Sequence, residues 1–160
     1  MWKSDEYYLE KAIEVSRKSR AGGNTPFGCV LVDGDGEIIL EQGNVEITEK
    51  RCTGHAETVI MERASKLYDK KFLWNCTLYT TCEPCPMCVG AVYWGNVGRV
   101  VYAMTEERLL QMTGSHEQNP TFTMTCKEVF AKGQKKIKVE GPFDSLAEKA
   151  AEVHFGYWDN

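Results

Sequence analysis

The chain has 160 residues and a mass of 18.1 kDa, 42% hydrophobic and 26% charged, which is the size and make-up of one globular domain spanning 1–160. No run approaches the roughly 18 consecutive apolar residues of a membrane helix, and Met1 to Arg20 carries charges where a secretory signal needs an apolar stretch, so membrane and secreted readings fall away. Nineteen basic against 23 acidic residues give a net charge of −4 and a pI near 5.5, the wrong sign for a domain built to grip phosphates, so nucleic acid is demoted as a partner.

The pattern from Asp5 to Arg20 sets Leu9, Ala12, Ile13 and Ser16 on one helical face, with Ser4 or Asp5 as N-cap and Gly22-Gly23 beyond the end. Phe27 to Val32 reads as a short buried strand, Asp33-Gly34-Asp35-Gly36 as a turn, and Glu37 to Glu41 as the second arm of a hairpin. A helix follows from His55 to about Leu67, then a strand over Thr77 to Thr81 and an apolar helix from Cys85 to Trp94. Arg99 to Ala103 is another buried strand, and Glu106 to Met112 another short helix. Thr113 to Thr125 is polar and irregular, a loop long enough to be a functional candidate. Lys135 to Glu140 alternates like an edge strand, and Ser145 to Phe155 returns to helical spacing. Strands alternating with helices predict an α/β sandwich with helices on both sheet faces.

Seven cysteines are many for this length, but the number is odd and two form a Cys-x-x-Cys, which favours reduced thiols with a metal or catalytic role and a cytoplasmic setting. Two segments carry the chemistry: His55-Ala56-Glu57 and Pro84-Cys85-Pro86-Met87-Cys88. One histidine and two cysteines supply three zinc ligands and leave the fourth tetrahedral position for water, the arrangement of a catalytic site. Cys85 and Cys88, at i and i+3, share one face of a first helical turn, and prolines at 84 and 86 suit its unpaired amides. Glu57 is then placed to take a proton from the bound water and deliver it to substrate and leaving group. Either segment alone could be a redox pair, core cysteines or chance; in this order, each opening a helix, they point to one Zn2+ per chain.

These residues resemble the cytidine and deoxycytidylate deaminase superfamily over roughly Pro26 to Gly114. Pro26-Phe27-Gly28, Gly43-Asn44, His55-Ala56-Glu57, Thr81 to Cys88 and Ala91-Val92-Tyr93-Trp94 are similar to its bacterial guanine deaminase branch. The resemblance implies a three-layer αβα sandwich with a mixed five-stranded sheet, a homodimer with a C-terminal segment swapped between subunits, and hydrolytic deamination of a purine base. By position it makes His55, Cys85 and Cys88 the zinc ligands and Glu57 the proton shuttle. Asn44 would hydrogen-bond the ring, although a turn role after the strand also explains it. Phe27 and Trp94 would wall the base pocket, with simple core packing as the other reading. The branch also uses an acid after the fourth helix, for which Glu117 is the match here, with a solvated surface role equally open.

The aromatic tail from His154 to Asn160 suits covering a site or docking on a neighbour. The lysines between Lys127 and Lys138 read first as a solvated edge and second as a nucleic-acid patch. The expected activity is conversion of guanine to xanthine and ammonia. Other readings are a tRNA-specific adenosine deaminase, or a deaminase of guanosine, a cytosine nucleoside or nucleotide, or another amino-substituted heterocycle. From a different class comes a zinc-bearing binding module without turnover, which the presence of Glu57 disfavours.

Overall fold

The computed structural model describes residues 1–159. In chain order the elements are α1 (Asp5–Ala21), β1 (Gly28–Val32), β2 (Ile38–Gly43), α2 (Ala56–Leu67), α3 (Lys70–Trp74), β3 (Thr77–Cys82), α4 (Pro86–Gly95), β4 (Arg99–Met104), α5 (Glu106–Thr113), α6 (Cys126–Ala131), β5 (Lys138–Glu140) and α7 (Asp144–Glu152). The five strands form one mixed sheet in the order β2-β1-β3-β4-β5. β1 runs antiparallel to both β2 and β3, while β3, β4 and β5 are parallel to one another.

Alternation along the strands builds two cores, one on each sheet face. Cys29, Leu31, Leu78, Val100 and Tyr102 pack against α2, α4 and α6 through Ile60, Met61, Val89, Val92 and Phe130. Val30, Val32, Tyr79, Val101 and Ala103 pack the other way, against Leu9 and Ile13 of α1, Leu109 of α5 and Leu146 and Ala150 of α7. The sheet is therefore buried on both sides, which is why its central strands read as continuous apolar runs. At Gly28 the backbone of α1 comes so close that an added Cβ would lie 2.5 Å from Ser16 N, so only glycine fits there.

The expected αβα sandwich with a mixed five-stranded sheet is the observed architecture. Two short helices escaped the pattern reading. α3 is five residues long, too short for a periodic stripe, and rests on its cap, where Asp69 accepts a hydrogen bond from Phe72 N at 2.8 Å. α6 starts on Thr125, and its first amide, Cys126 N, is held by Glu83 Oε2 at 2.8 Å, a partner 43 residues away. The alternating run from Lys135 narrows to three paired residues, Lys138–Glu140, and α7 ends at Glu152. Arg99 ties the sheet edge to the first helix, donating to Asp5 Oδ2 at 2.8 Å and Glu140 Oε2 at 2.7 Å.

Candidate active site

His55 and Cys85 are the N-cap residues of α2 and α4, both in extended conformation, and Cys88 lies in the first turn of α4. The two helix starts thus face each other. His55 Nδ1 lies 3.5 Å from Cys85 Sγ and 3.6 Å from Cys88 Sγ, and the two sulfurs are 3.8 Å apart. A tetrahedral ion with Zn–S of about 2.3 Å and Zn–N of about 2.05 Å demands edges of about 3.8 Å between sulfurs and about 3.6 Å from sulfur to nitrogen. The three atoms already stand at that spacing, so the donor set fits zinc in both chemistry and size.

Neighbours orient the ligands. Thr58 Oγ1 donates to Cys88 Sγ at 3.3 Å. On the far side of the imidazole, His55 Nε2 is 3.6 Å from Glu46 Oε1, which in turn accepts from Asn44 Nδ2 at 2.7 Å. The hydrogen bond between the thiols, assisted by His55, pulls Cys85 down into the thiolate range, while the same bond and burial push Cys88 up. Burial opposes a charge on His55, but the hydrogen bond and charge of Cys85, with Glu57 and Glu46, outweigh it and raise its pKa to about 9. Burial pushes Glu57 up to about 7, with the His55 charge working against it. A dication among these atoms would hold both sulfurs as thiolates and the imidazole neutral.

His55, Cys85 and Glu57 open onto a cavity of about 290 Å³. Phe27 and Phe122 give it apolar surface, and Asn44, Glu106 and Asn119 bring polar groups to it. Of the residues singled out from sequence, His55, Cys85, Glu57, Asn44 and Phe27 line this space, and Cys88 sits buried behind its sulfur. Trp94 and Glu117 do not. Trp94 stands at the far end of α4, 72% exposed, with Lys135 Nζ 5.9 Å over its ring, because nine residues of helix carry it away from Cys85. Glu117 is exposed, since the loop turns its residues 118–122 inward and leaves 117 outside.

The acid that reaches the cavity is Glu106, the first residue of α5, 9% exposed. Its amide is held by Glu83 Oε1 at 3.1 Å, so the buried Glu83 carboxylate anchors the starts of α5 and α6 together. Sequence reasoning passed over Glu46, Glu83 and Glu106; the one available signal was Thr105, an N-cap threonine that marks Glu106 as the residue emerging at the end of a buried strand. The tail closes behind Phe27 on its own chain. His154 stacks edge-on to Phe27 at 5.1 Å between ring centroids, Trp158 lies 5.2 Å from the His116 ring, and Arg20 donates to the carbonyls of Val153 and Phe155 at 2.7 Å each.

Residues 2–104 match the family model described as the cytidine and deoxycytidylate deaminase zinc-binding region. A probable cytosine deaminase of Schizosaccharomyces pombe is 34% identical over 155 residues, covering 97% of this chain and 93% of that protein. A guanine deaminase of Bacillus subtilis is 42% identical over 99 residues, which is 61% of this chain and 63% of that protein, less than two thirds of its length. Among solved structures, a single-residue variant in complex with 8-azaguanine superposes with a TM-score of 0.78 at 23% identity, over 96% of this chain and 84% of that one, a likeness of fold. Among the described residues no helix is long and apolar enough to cross a membrane. With the ligand spacing, the matched region and the full-length relative in agreement, the chain belongs to the cytidine and deoxycytidylate deaminase family, whose cofactor is zinc.

Proposed function

We propose that this protein hydrolyses the exocyclic amine of a free heterocyclic base, with guanine, converted to xanthine and ammonia, as the first substrate. The observation that carries the reading is the shared cavity: His55, Cys85 and Glu57 line one space of about 290 Å³, large enough for a bicyclic base, with Cys88 grouped beside His55 and Cys85 behind its wall. Its apolar surface from Phe27 and Phe122 suits a flat ring, and its amide and acid groups suit a ring edge rich in donors and acceptors. A solved structure of similar fold holds the purine analogue 8-azaguanine, which supports a purine as the substrate class.

Zinc, when bound, supplies a Lewis acid that brings the pKa of water near 7. His55, Cys85 and Cys88 hold it. Glu57 takes the proton of the attacking water and passes it to the ring nitrogen and then to the departing amine, as a C–O bond replaces the C–N bond. Phe27 and Phe122 offer flat apolar surface to the ring plane, and Asn44, itself held by Glu46, presents its amide at the edge. The protein acts, on this reading, as a cytoplasmic homodimer.

A second reading is favoured by one observation. The relative that aligns over 97% of this chain, through the loop and the tail, carries the name probable cytosine deaminase, which makes free cytosine the next candidate. Ammonia release by the zinc-loaded protein on guanine, cytosine, adenine, guanosine, cytidine, deoxycytidylate and tRNA separates these. Turnover of guanine at least tenfold above the rest is the expected result; preference for cytosine replaces the substrate and keeps the chemistry, and preference for tRNA or a nucleoside overturns the free-base reading.

A further inference from the structure

Glu106 is a buried acid without a cationic partner. It is 9% exposed, no lysine or arginine lines the cavity it faces, and none forms an ion pair with it among the described residues. Its amide is engaged by Glu83, and one carboxyl oxygen, Oε1, accepts the thiol of Cys82 at 3.3 Å. The other oxygen has no hydrogen-bond partner among the described residues, yet it is not among the sealed, unsatisfied atoms, so it opens to the cavity. A buried carboxyl oxygen left free at a ligand cavity is costly unless the ligand supplies a donor. Its fellow acids are already committed. Glu83 spends both oxygens on backbone amides, and Glu46 is engaged with Asn44 and His55.

We infer that Glu106 is a specificity-determining residue, which accepts a hydrogen bond from the ring N–H that a free base carries and that a nucleoside has lost to its sugar. This rests on the free-base reading above and deepens it. Guanine and cytosine both own such a group, N9–H in one and N1–H in the other, so the role holds for either substrate. Adding a sugar or a methyl there removes the donor and leaves the carboxyl oxygen buried and unpaired, a penalty that rejects analogues far more strongly than a missing apolar contact does. Burial also pushes the carboxyl of Glu106 up to about 8, with Cys85, Glu57 and Glu83 raising it further against the Cys82 hydrogen bond, so the empty cavity avoids a lone charge. A ring N–H donor at this position favours the ionised carboxylate, whose free oxygen then accepts it while Oε1 keeps the Cys82 thiol.

The test compares kcat/KM for guanine with 9-methylguanine, and cytosine with 1-methylcytosine, in the wild type, Glu106→Leu and Glu106→Gln, with zinc content measured in each; a methylated base that turns over too slowly is read as a competitive inhibitor. The leucine variant should lose about 100-fold or more on the free base and change within about threefold on its methylated analogue, while glutamine, which keeps a carbonyl acceptor, stays within about tenfold of wild type on both. Parallel losses on base and analogue in Glu106→Leu, or no loss on either, overturn the assignment while the free-base reading stands. Wild-type preference for a nucleoside over every free base overturns both together. A wild type that favours cytosine changes the substrate alone, and the cytosine pair then decides Glu106.

Discussion

Trp158 donates its indole N–H to Nδ1 of His154 at 3.0 Å, and this bond fixes the histidine as the tautomer that carries its proton on Nε2. The ring is 1% exposed, and burial, followed by the charges of Arg20 and Arg108, lowers its pKa to about 3. The native value lies below that of about 6.5 in the unfolded chain, so on acidification the unfolded state takes up the proton first. The stabilising contribution is whole above about pH 6.5 and is lost as the pH falls from there toward 3, on the order of 4 kcal/mol across that window. Melting temperatures between pH 7 and 4 should fall more steeply in the wild type than in His154→Phe. Parallel slopes would show that His154 is not the group responsible.

Glu57 is buried and two residues from His55, yet it stands outside the cluster of His55, Cys85 and Cys88 that could hold the ion. Glu57→Gln should therefore retain one zinc per chain, measured by atomic absorption, while turnover drops by about 1,000-fold or more. Full activity in that variant would remove the proton-transfer role from this residue.

The hydroxyl of Thr58 reaches the ligand sulfur of Cys88 at 3.3 Å and holds its lone pair in register. Thr58→Val keeps the side-chain volume and deletes that donor. Zinc affinity, followed by competition with a chromogenic chelator, should weaken by about tenfold. Unchanged affinity would make the contact incidental.

Glu83 serves two helices, accepting from Glu106 N at 3.1 Å and Cys126 N at 2.8 Å. Glu83→Gln replaces one acceptor by an amide NH2 that faces a backbone N–H. Urea unfolding should report a loss of about 3 kcal/mol, since charge-assisted bonds in a buried setting are replaced by a clash of donors. A loss below about 0.5 kcal/mol would mean the helix starts find other partners.

The cluster of His55, Cys85 and Cys88 was legible because its geometry is local: the two cysteines share a helical turn by spacing alone, and His55 opens a periodic helix. The two-faced sheet was legible from runs such as Val100-Val101-Tyr102-Ala103, apolar at every position. The acid of the cavity was not. Glu106 and Glu117 look alike in sequence, eleven positions apart, and only the junction of β4 and α5 turns the first inward while the loop leaves the second in solvent. Trp94 shares helix α4 with Cys88 but sits at its opposite end, exposed and away from the cavity. Glu83 bonds to an amide 43 residues ahead, a distance at which no periodicity speaks.

The sheet gives this division a spatial form. β3 and β4 run parallel, so both release their chains at the same edge, one into the cysteine-bearing start of α4 and the other into Glu106. Cys85 and Cys88 on one side and Glu106 on the other thus leave from adjacent but separate exits, with His55 arriving independently at the start of α2. Among the described residues, nothing beyond Met104 belongs to the cluster of His55, Cys85 and Cys88. A library confined to Glu106 and positions 118–122 would keep one constant reaction and vary only which amine is brought to it.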